Sequence, residues 1–190
     1  VDVTRDTTLS ATREQAQQAY QQFLKAAPDS SQRGEALRRL ADITLEDGSA
    51  PEELPAVNSD TGATADAANA AAAIHLYEQV LAVTPDAADN DRVLYQLARA
   101  YEQSGRLPET LRTLERLEAE YPASPYRAEA QFRRGEILFV QQHYAAAQQA
   151  YQAVLDAGAT GQFYSRALYK RGWASFKQSD ADGALDSFLA

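Results

Sequence analysis

The side chains that most often carry chemistry in enzymes are sparse in this sequence. The chain has 190 residues with two histidines and no cysteine, which excludes thiolate nucleophiles, disulfides and cysteine-ligated zinc. His75 and His143 are far apart, and neither has a second ligand nearby in the sequence. The sequence therefore predicts that the chain holds no metal.

The carboxylates are equally unsuited to catalysis. Glu52 and Glu53 are adjacent, but no base, nucleophile or oxyanion-binding group lies beside them in the sequence. Residues 180–183 partly match a calcium loop, yet Gln178 and Leu189 stand where its first and last ligands should be. No glycine-rich phosphate loop is present. We expect a non-enzymatic protein with no catalytic residues and no cofactor.

The charge of the chain is concentrated in its first half. Lys and Arg number 18 against 27 Asp and Glu, for a net charge of −9. Residues 1–90 carry 6 basic and 15 acidic side chains, a difference of −9, whereas residues 91–190 carry 12 of each. An acidic surface repels phosphate, which argues against nucleic acid and anionic lipid as partners of the first half. No apolar run approaches the length of about 18 residues that a membrane helix needs, so we expect no membrane insertion.

An internal repeat organises the chain. A small residue recurs, with an aromatic residue or leucine four positions later, at separations of 57, 37, 37 and 37 residues. These pairs are Ala16/Tyr20, Ala73/Tyr77, Thr110/Leu114, Ala147/Tyr151 and Ala184/Phe188. A second series with the same spacing consists of Ala41, Ala98, Gly135 and Gly172. Since 57 is 37 plus 20, the spacing places a 20-residue insertion between residues 41 and 73.

Each repeat contains two predicted helices. Apolar residues spaced three and four apart fill residues 94–101 and again 107–117, and Ser104-Gly105 between them indicates a turn. No segment shows convincing strand alternation. Small residues such as Gly135 and Ala147 allow close helix packing and leave a hole for a neighbouring aromatic ring. The predicted fold class is all-α: a right-handed superhelix of antiparallel helix pairs, with roughly four repeats and incomplete ends.

The predicted boundaries follow the same spacing. The segments are an N-terminal extension (1–10), the second helix of a partial repeat (12–26), a repeat (34–85) with an acidic loop insertion (47–65), two repeats (91–122 and 128–157) and a truncated repeat (165–190). The extension is expected to lie against the first helix in place of its missing partner. The insertion is expected to be disordered, or else to act as an acidic tether. The incomplete ends favour a fragment of a longer array, or an array that forms a homo-oligomer through its exposed ends.

The repeat resembles the tetratricopeptide repeat family. Two repeats match six of eight signature positions each: Leu37, Leu40, Ala41, Ala73, Tyr77 and Pro85, then Leu94, Leu97, Ala98, Tyr101, Leu114 and Pro122. Residues 121–151 are also similar to Gram-negative cell-envelope members, of the TolA-binding division coordinator type and the outer-membrane assembly lipoprotein type. This resemblance implies a periplasmic or outer-membrane-associated protein; a cytoplasmic location is the alternative.

In the family, the first helices of successive repeats line a concave groove that binds peptides. Carried over by position, the resemblance implies a predicted groove of Tyr95, Arg99, Phe132, Glu136, Phe139, Tyr169, Trp173 and Phe176. It also aligns a basic row of Arg39, Arg133 and Lys170, which could grip a carboxylate. Alternatively, the phenylalanines pack in the core and the basic row is paired with neighbouring glutamates such as Glu136. The chaperone-binding carboxylate clamp is not carried over, because Arg38 and Asp42 replace its lysine and asparagine.

Together these features predict a non-catalytic scaffold that binds a peptide or partner protein in an aromatic groove. Tyr, Trp and Arg are the residues most enriched at binding hot spots, and the only tryptophan of the chain lies in the predicted groove. The second interpretation is an architectural or oligomerising segment of a longer repeat protein without a ligand of its own.

Overall fold

The structure, a computed structural model, describes residues 3–46, 60–158, 161 and 163–190. Within these ranges the chain forms helices joined by turns and contains no strand, which confirms the predicted all-α class. The helices are α1 (Val3–Ala26), α2 (Arg33–Glu46), α3 (Asp60–Val83), α4 (Asn90–Gln103), α5 (Leu107–Glu120), α6 (Arg127–Val140), α7 (Tyr144–Asp156), α8 (Tyr164–Lys177) and α9 (Ala181–Leu189). None of these helices is both long enough and apolar enough to span a bilayer.

The helices belong to two compact units, Val1–Arg106 and Leu107–Ala190. In the first unit α2 packs against α1 and α3, and α3 packs against α4. Its core contains Leu37, Ala41, Leu45, Ala73, Ile74, Tyr77, Val80, Val93, Leu97, Ala100 and Tyr101. In the second unit each helix from α5 to α9 packs against the next. Its core contains Phe132, Leu138, Ala147, Tyr151, Val154, Ala167 and Ala174.

The short turns after α4, α6 and α8 recur with the repeat period. Gly105, Gln142 and Ser179 lie 37 residues apart and have φ values of 69°, 63° and 63°, in the left-handed region. In each turn the next amide donates to a carbonyl five residues back; that of His143, for example, donates to Leu138 at 2.9 Å. This Schellman-type geometry ends a helix and, within the second unit, reverses the chain between paired helices. The turn at Gly105 was predicted from its glycine, whereas the other two use residues that seldom adopt this conformation.

Small residues on one helix receive aromatic rings from the next, as the repeat predicted. A Cβ atom added to Gly135 would lie 2.5 Å from Cε1 of Tyr151. One repeat later, a Cβ atom on Gly172 would lie 2.5 Å from Cε1 of Phe188. Both distances are shorter than van der Waals contact, so the rings occupy the volume that a side chain would need. The absence of a side chain at both positions allows the ring of the next helix to approach this closely.

Two predicted boundaries differ from the structure. Residues 3–10 do not form a separate extension beside the first helix, because α1 runs without interruption from Val3 to Ala26. Within the predicted loop 47–65, α3 already begins at Asp60. Its first two turns are rich in alanine, which favours helix without showing apolar periodicity. The rest of that prediction, residues 47–59, lies outside the described residues.

Candidate functional site

The most exposed aromatic surface of the second unit lies on α8. Tyr169, Trp173 and Phe176, here called the aromatic stripe, are spaced four and three residues apart, which places them on one helix face. Their exposed fractions are 55%, 37% and 58%. Ala167 and Ala174 of the same helix are fully buried in the core. The helix is thus amphipathic in an unusual sense: small residues face the core and large aromatic residues face outward.

Ring contacts hold the aromatic stripe in place. Trp173 contacts Tyr169 and Phe176 edge-on, with ring centroids 6.2 Å and 5.7 Å apart. Phe188 of α9 supports both Tyr169 and Trp173, at 5.8 Å and 6.0 Å. Gly172 leaves the space in which the Phe188 ring lies. Edge-to-face contacts at these separations are favourable, so the stripe is a preorganised surface.

The other members of the predicted groove are not exposed in the same way. Tyr95 and Phe132 are only 5% and 4% exposed, so the prediction that they line an open groove is wrong. Phe132 packs against Phe163 and Tyr151, at centroid distances of 5.4 Å and 5.9 Å. Their positions on the first helices are correct, but neighbouring side chains cover them. Phe139 is half-buried and meets Tyr144 edge-on at 5.3 Å.

The polar members of the predicted groove are half-buried and engaged. Arg99 lies in the first unit and donates to Gln96 at 3.4 Å. Glu136 lies in the second unit, where it is bound by two neighbouring side chains described below. Of the predicted groove, the structure therefore brings together only the three residues of the aromatic stripe on one exposed face.

Each residue of the predicted basic row has an acidic partner. Arg39 donates to Glu35 at 2.8 Å, and hydrogen bonds from Arg38 and Arg39 lower the pKa of Glu35 despite the opposing effect of burial. Arg133 pairs with Glu129 at 3.0 Å on the same helix. Lys170 pairs with Glu136 at 2.8 Å. The structure thus places a glutamate beside each cation of the row, as in the alternative interpretation.

In the first unit, one carboxylate joins three helices. Asp42 of α2 accepts a hydrogen bond from the Tyr77 hydroxyl of α3 at 2.8 Å. It also pairs with Arg92 of α4 at 3.0 Å and with Arg38 of its own helix at 3.7 Å. The Asp42 and Arg38 side chains are only 12% and 10% exposed. We call this arrangement the Asp42 bridge; Arg38 and Asp42, which stand at the family's clamp positions, pair with each other.

The second unit contains an equivalent bridge. Glu136 of α6 accepts a hydrogen bond from the Tyr151 hydroxyl of α7 at 2.6 Å and pairs with Lys170 of α8. Asp42 and Glu136 directly follow Ala41 and Gly135, the small residues of the second repeat series. We call this the Glu136 bridge. In the repeat formed by α8 and α9, Trp173 takes the position of the carboxylate and Phe188 that of the tyrosine. The aromatic stripe thus replaces a charged bridge with exposed rings.

The tyrosines of the two bridges should make the free energy of unfolding fall at alkaline pH. Burial, together with the neighbouring carboxylate, raises the pKa values of Tyr77 and Tyr151 far above the ordinary tyrosine value. Above pH about 10 the unfolded chain loses these phenolic protons while the folded chain keeps them. Alkali therefore favours the unfolded state, and the free energy of unfolding should fall as pH rises past this value. Denaturant titrations at increasing pH should show a weaker dependence for the double variant Tyr77→Phe/Tyr151→Phe; an equal dependence would contradict the assignment.

No metal centre is visible where the side chains are described: no three His, Asp or Glu residues are grouped as ligands in that part of the chain. Two residues at the aromatic stripe were not predicted from the sequence. Phe188 supports the stripe, and its place in the small–aromatic repeat series was the available signal. Lys177 is the exposed last residue of α8, and it belongs to neither of the two repeat series.

Antiparallel helix pairs with a small–aromatic contact at a fixed period define the class of helical repeat proteins. The chain belongs to the tetratricopeptide repeat-like domain family, whose sequence profile matches residues 6–171. No curated protein sequence matches the chain significantly.

Several solved structures share the fold. A crystal structure of the MamA protein is 17% identical and superposes with a TM-score of 0.69, covering 97% of this chain and 84% of MamA. A tetratricopeptide repeat protein from Parabacteroides merdae is also 17% identical with a TM-score of 0.69, covering 97% of this chain and 61% of that protein. MamA from Desulfovibrio magneticus is 14% identical with a TM-score of 0.60, covering 93% and 91%. At these identities the comparisons show the fold alone.

Proposed function

We propose that this protein is a non-catalytic scaffold that binds a protein segment on the aromatic stripe of α8. The observation that carries the proposal is the exposure of Tyr169, Trp173 and Phe176 on one helix face. Large apolar surface costs free energy in water, and contiguous exposed patches usually mark interaction sites. Family membership supports the same conclusion, because helical repeats commonly present their surfaces to partner proteins.

The arrangement of the stripe suits a binding hot spot. Its rings are held by one another and by Phe188. The three side chains would therefore lose little conformational entropy when a partner binds. Trp173 lies between the other two and contacts both, which makes it the centre of the surface. Central tryptophans contribute most strongly to protein interfaces.

The experiment is selection of peptides from a displayed random library on the purified chain, followed by titration monitored by Trp173 fluorescence. Trp173→Ala, read out by calorimetry, should weaken binding of the selected peptides about thirtyfold, the effect of a typical hot-spot residue. Val140→Ala is the matched control, because Val140 is a highly exposed apolar residue on α6 outside the stripe. Peptides that bind Trp173→Ala as well as the unaltered chain would refute the proposed site.

A second candidate function is self-association of an architectural segment. It is favoured by α9, which packs against α8 and exposes Leu185 and Leu189. Sedimentation of the purified chain separates the two functions. A monomer that still binds peptides supports the scaffold, whereas dimers that dissociate on Leu185→Ser/Leu189→Ser substitution support the architectural function.

We also propose a cell-envelope location, periplasmic or associated with the outer membrane. The support is the similarity of residues 121–151 to tetratricopeptide repeat proteins of Gram-negative envelopes. Fractionation of the native host should recover the protein with periplasmic or outer-membrane markers. Recovery with cytoplasmic markers would favour the alternative location.

A further inference from the structure

Helix α8 has an unusual charge for this protein. It carries Arg166, Lys170, Arg171 and Lys177 and no acidic residue, which gives it four positive charges. The whole chain, by contrast, has a net charge of −9. Positive charge is therefore concentrated on the helix that bears the aromatic stripe.

Two of these four cations are already engaged. Lys170 pairs with Glu136 in the bridge described above. Arg171 donates to Ser187 of α9 at 3.0 Å and to Gln152 of α7. Both side chains are half-buried and point toward neighbouring helices. These contacts account for their role in packing and leave little of either cation for a partner.

The other two cations flank the aromatic stripe. Arg166 and Lys177 are exposed, and within the described part of the chain neither lies within 4.0 Å of a carboxylate. Arg166 precedes Tyr169 by three residues and Lys177 directly follows Phe176, so the stripe lies between them. Eleven residues of helix separate the two cations by about 16 Å along the axis.

Arg166 is also held in position. Its guanidinium lies over the Phe132 ring at 4.6 Å and is 5.8 Å from the centre of the Phe163 ring. Stacking covers the face of the guanidinium but leaves the N–H groups at its edge free to donate. A fixed guanidinium with free edges is suited to bind a carboxylate bidentately.

We infer that the segment bound by the aromatic stripe is acidic: an apolar stretch flanked by carboxylates that pair with Arg166 and Lys177. This inference rests on the proposed function and specifies the chemistry of the partner. Carboxylates about 16 Å apart correspond to roughly five residues of extended chain or eleven of helix. Complementary charges at the edge of an apolar contact fix its register and exclude wrong partners.

Charge complementarity favours a protein segment over a polyanion. Nucleic acids require several phosphate contacts along a continuous basic surface. Here the exposed face of α8 offers only two free cations, and three aromatic residues separate them. Binding to an anionic bilayer likewise depends on a cluster of several basic residues, which two separated cations do not form.

The test uses the peptides selected from the displayed library. We expect Asp and Glu to be enriched over Lys and Arg at positions flanking their apolar residues. Replacing those acids by lysine should weaken binding to the intact chain about tenfold, since two exposed ion pairs would become repulsive. The double variant Arg166→Glu/Lys177→Glu should reverse this preference and bind the lysine version more tightly.

The matched control is Arg112→Glu/Arg116→Glu, which makes the same charge change on exposed arginines of α5. This variant should keep the preference for acidic peptides, and circular dichroism should show both variants folded. Peptides that depend on Trp173 but lack acidic enrichment would overturn this inference and leave the proposed function standing. Failure to select any Trp173-dependent peptide would overturn both. Tighter binding of single-stranded DNA or of phosphatidylglycerol vesicles than of the acidic peptides would also overturn it.

Discussion

Replacing Gly135 by valine is expected to lower the free energy of unfolding by about 2–3 kcal/mol, because an added side chain would overlap a buried ring. The Cβ position lies 2.5 Å from Cε1 of Tyr151, which is fully buried. The ring cannot swing aside easily, since its hydroxyl donates to Glu136 at 2.6 Å. The better helix propensity of valine offsets only part of this cost. Chemical denaturation monitored by circular dichroism measures the difference.

The same substitution one repeat later provides the matched control. Gly172 makes an equally close contact with Phe188, but Phe188 is 44% exposed and has no hydroxyl anchor. Its ring can move outward, so Gly172→Val should cost less than Gly135→Val. Combining Gly135→Val with Tyr151→Ala should destabilise less than the sum of the two single changes. Equal effects at both glycines would contradict the assignment of the cost to ring confinement.

Replacing Asp42 by alanine is expected to destabilise the fold by about 2 kcal/mol, because the buried Tyr77 hydroxyl loses its acceptor and the buried Arg38 loses one of its two carboxylate partners. The change removes the acceptor for the Tyr77 hydroxyl and the ion-pair partner of Arg92. Arg38, which is only 10% exposed, keeps its hydrogen bonds to Glu35 but loses Asp42. Thermal and denaturant unfolding of the purified variant provide the measurement.

Two further variants test whether the destabilisation comes from the lost Asp42 contacts or from the lost negative charge. Asp42→Asn keeps an acceptor for Tyr77 and should be less destabilising than Asp42→Ala. Asp86→Ala removes an exposed carboxylate from the turn before α4 and should change stability by no more than about 0.5 kcal/mol. If Asp86→Ala were as damaging as Asp42→Ala, the three-helix bridge would not be the cause.

Most of the fold could be predicted because small and aromatic residues recur at a fixed spacing in the sequence. The spacing of small and aromatic residues is enough to locate the helix pairs and the close contact at Gly135. The backbone conformation of two turns could not be predicted from the sequence. Gln142 and Ser179 adopt the left-handed conformation of Gly105, although their side chains do not favour it. The start of α3 was missed because alanine favours helix without producing an apolar pattern.

The candidate site was only partly predictable, because helix position does not determine exposure. Tyr95 and Trp173 are both first-helix residues of the predicted groove, yet one is buried and the other exposed. Exposure depends on which side chains of neighbouring helices cover a position. Phe132, for instance, is covered by the Arg166 guanidinium and the Phe163 ring. Such contacts join residues more than thirty positions apart, and periodicity within one helix does not reveal them.

The two carboxylate bridges also affect how the molecule opens. Asp42 binds both Tyr77 of α3 and Arg92 of α4. Separation of either helix from α2 therefore breaks a contact with this one carboxylate. The three helices should therefore lose amide protection as one cooperative unit, as should α6, α7 and α8 around Glu136. The repeat that ends in α9 has Trp173 and Phe188 in place of the bridge. Ring contacts with Phe188 and not a shared carboxylate therefore tie α9 to α8, and α9 should exchange its amides independently of the two bridges.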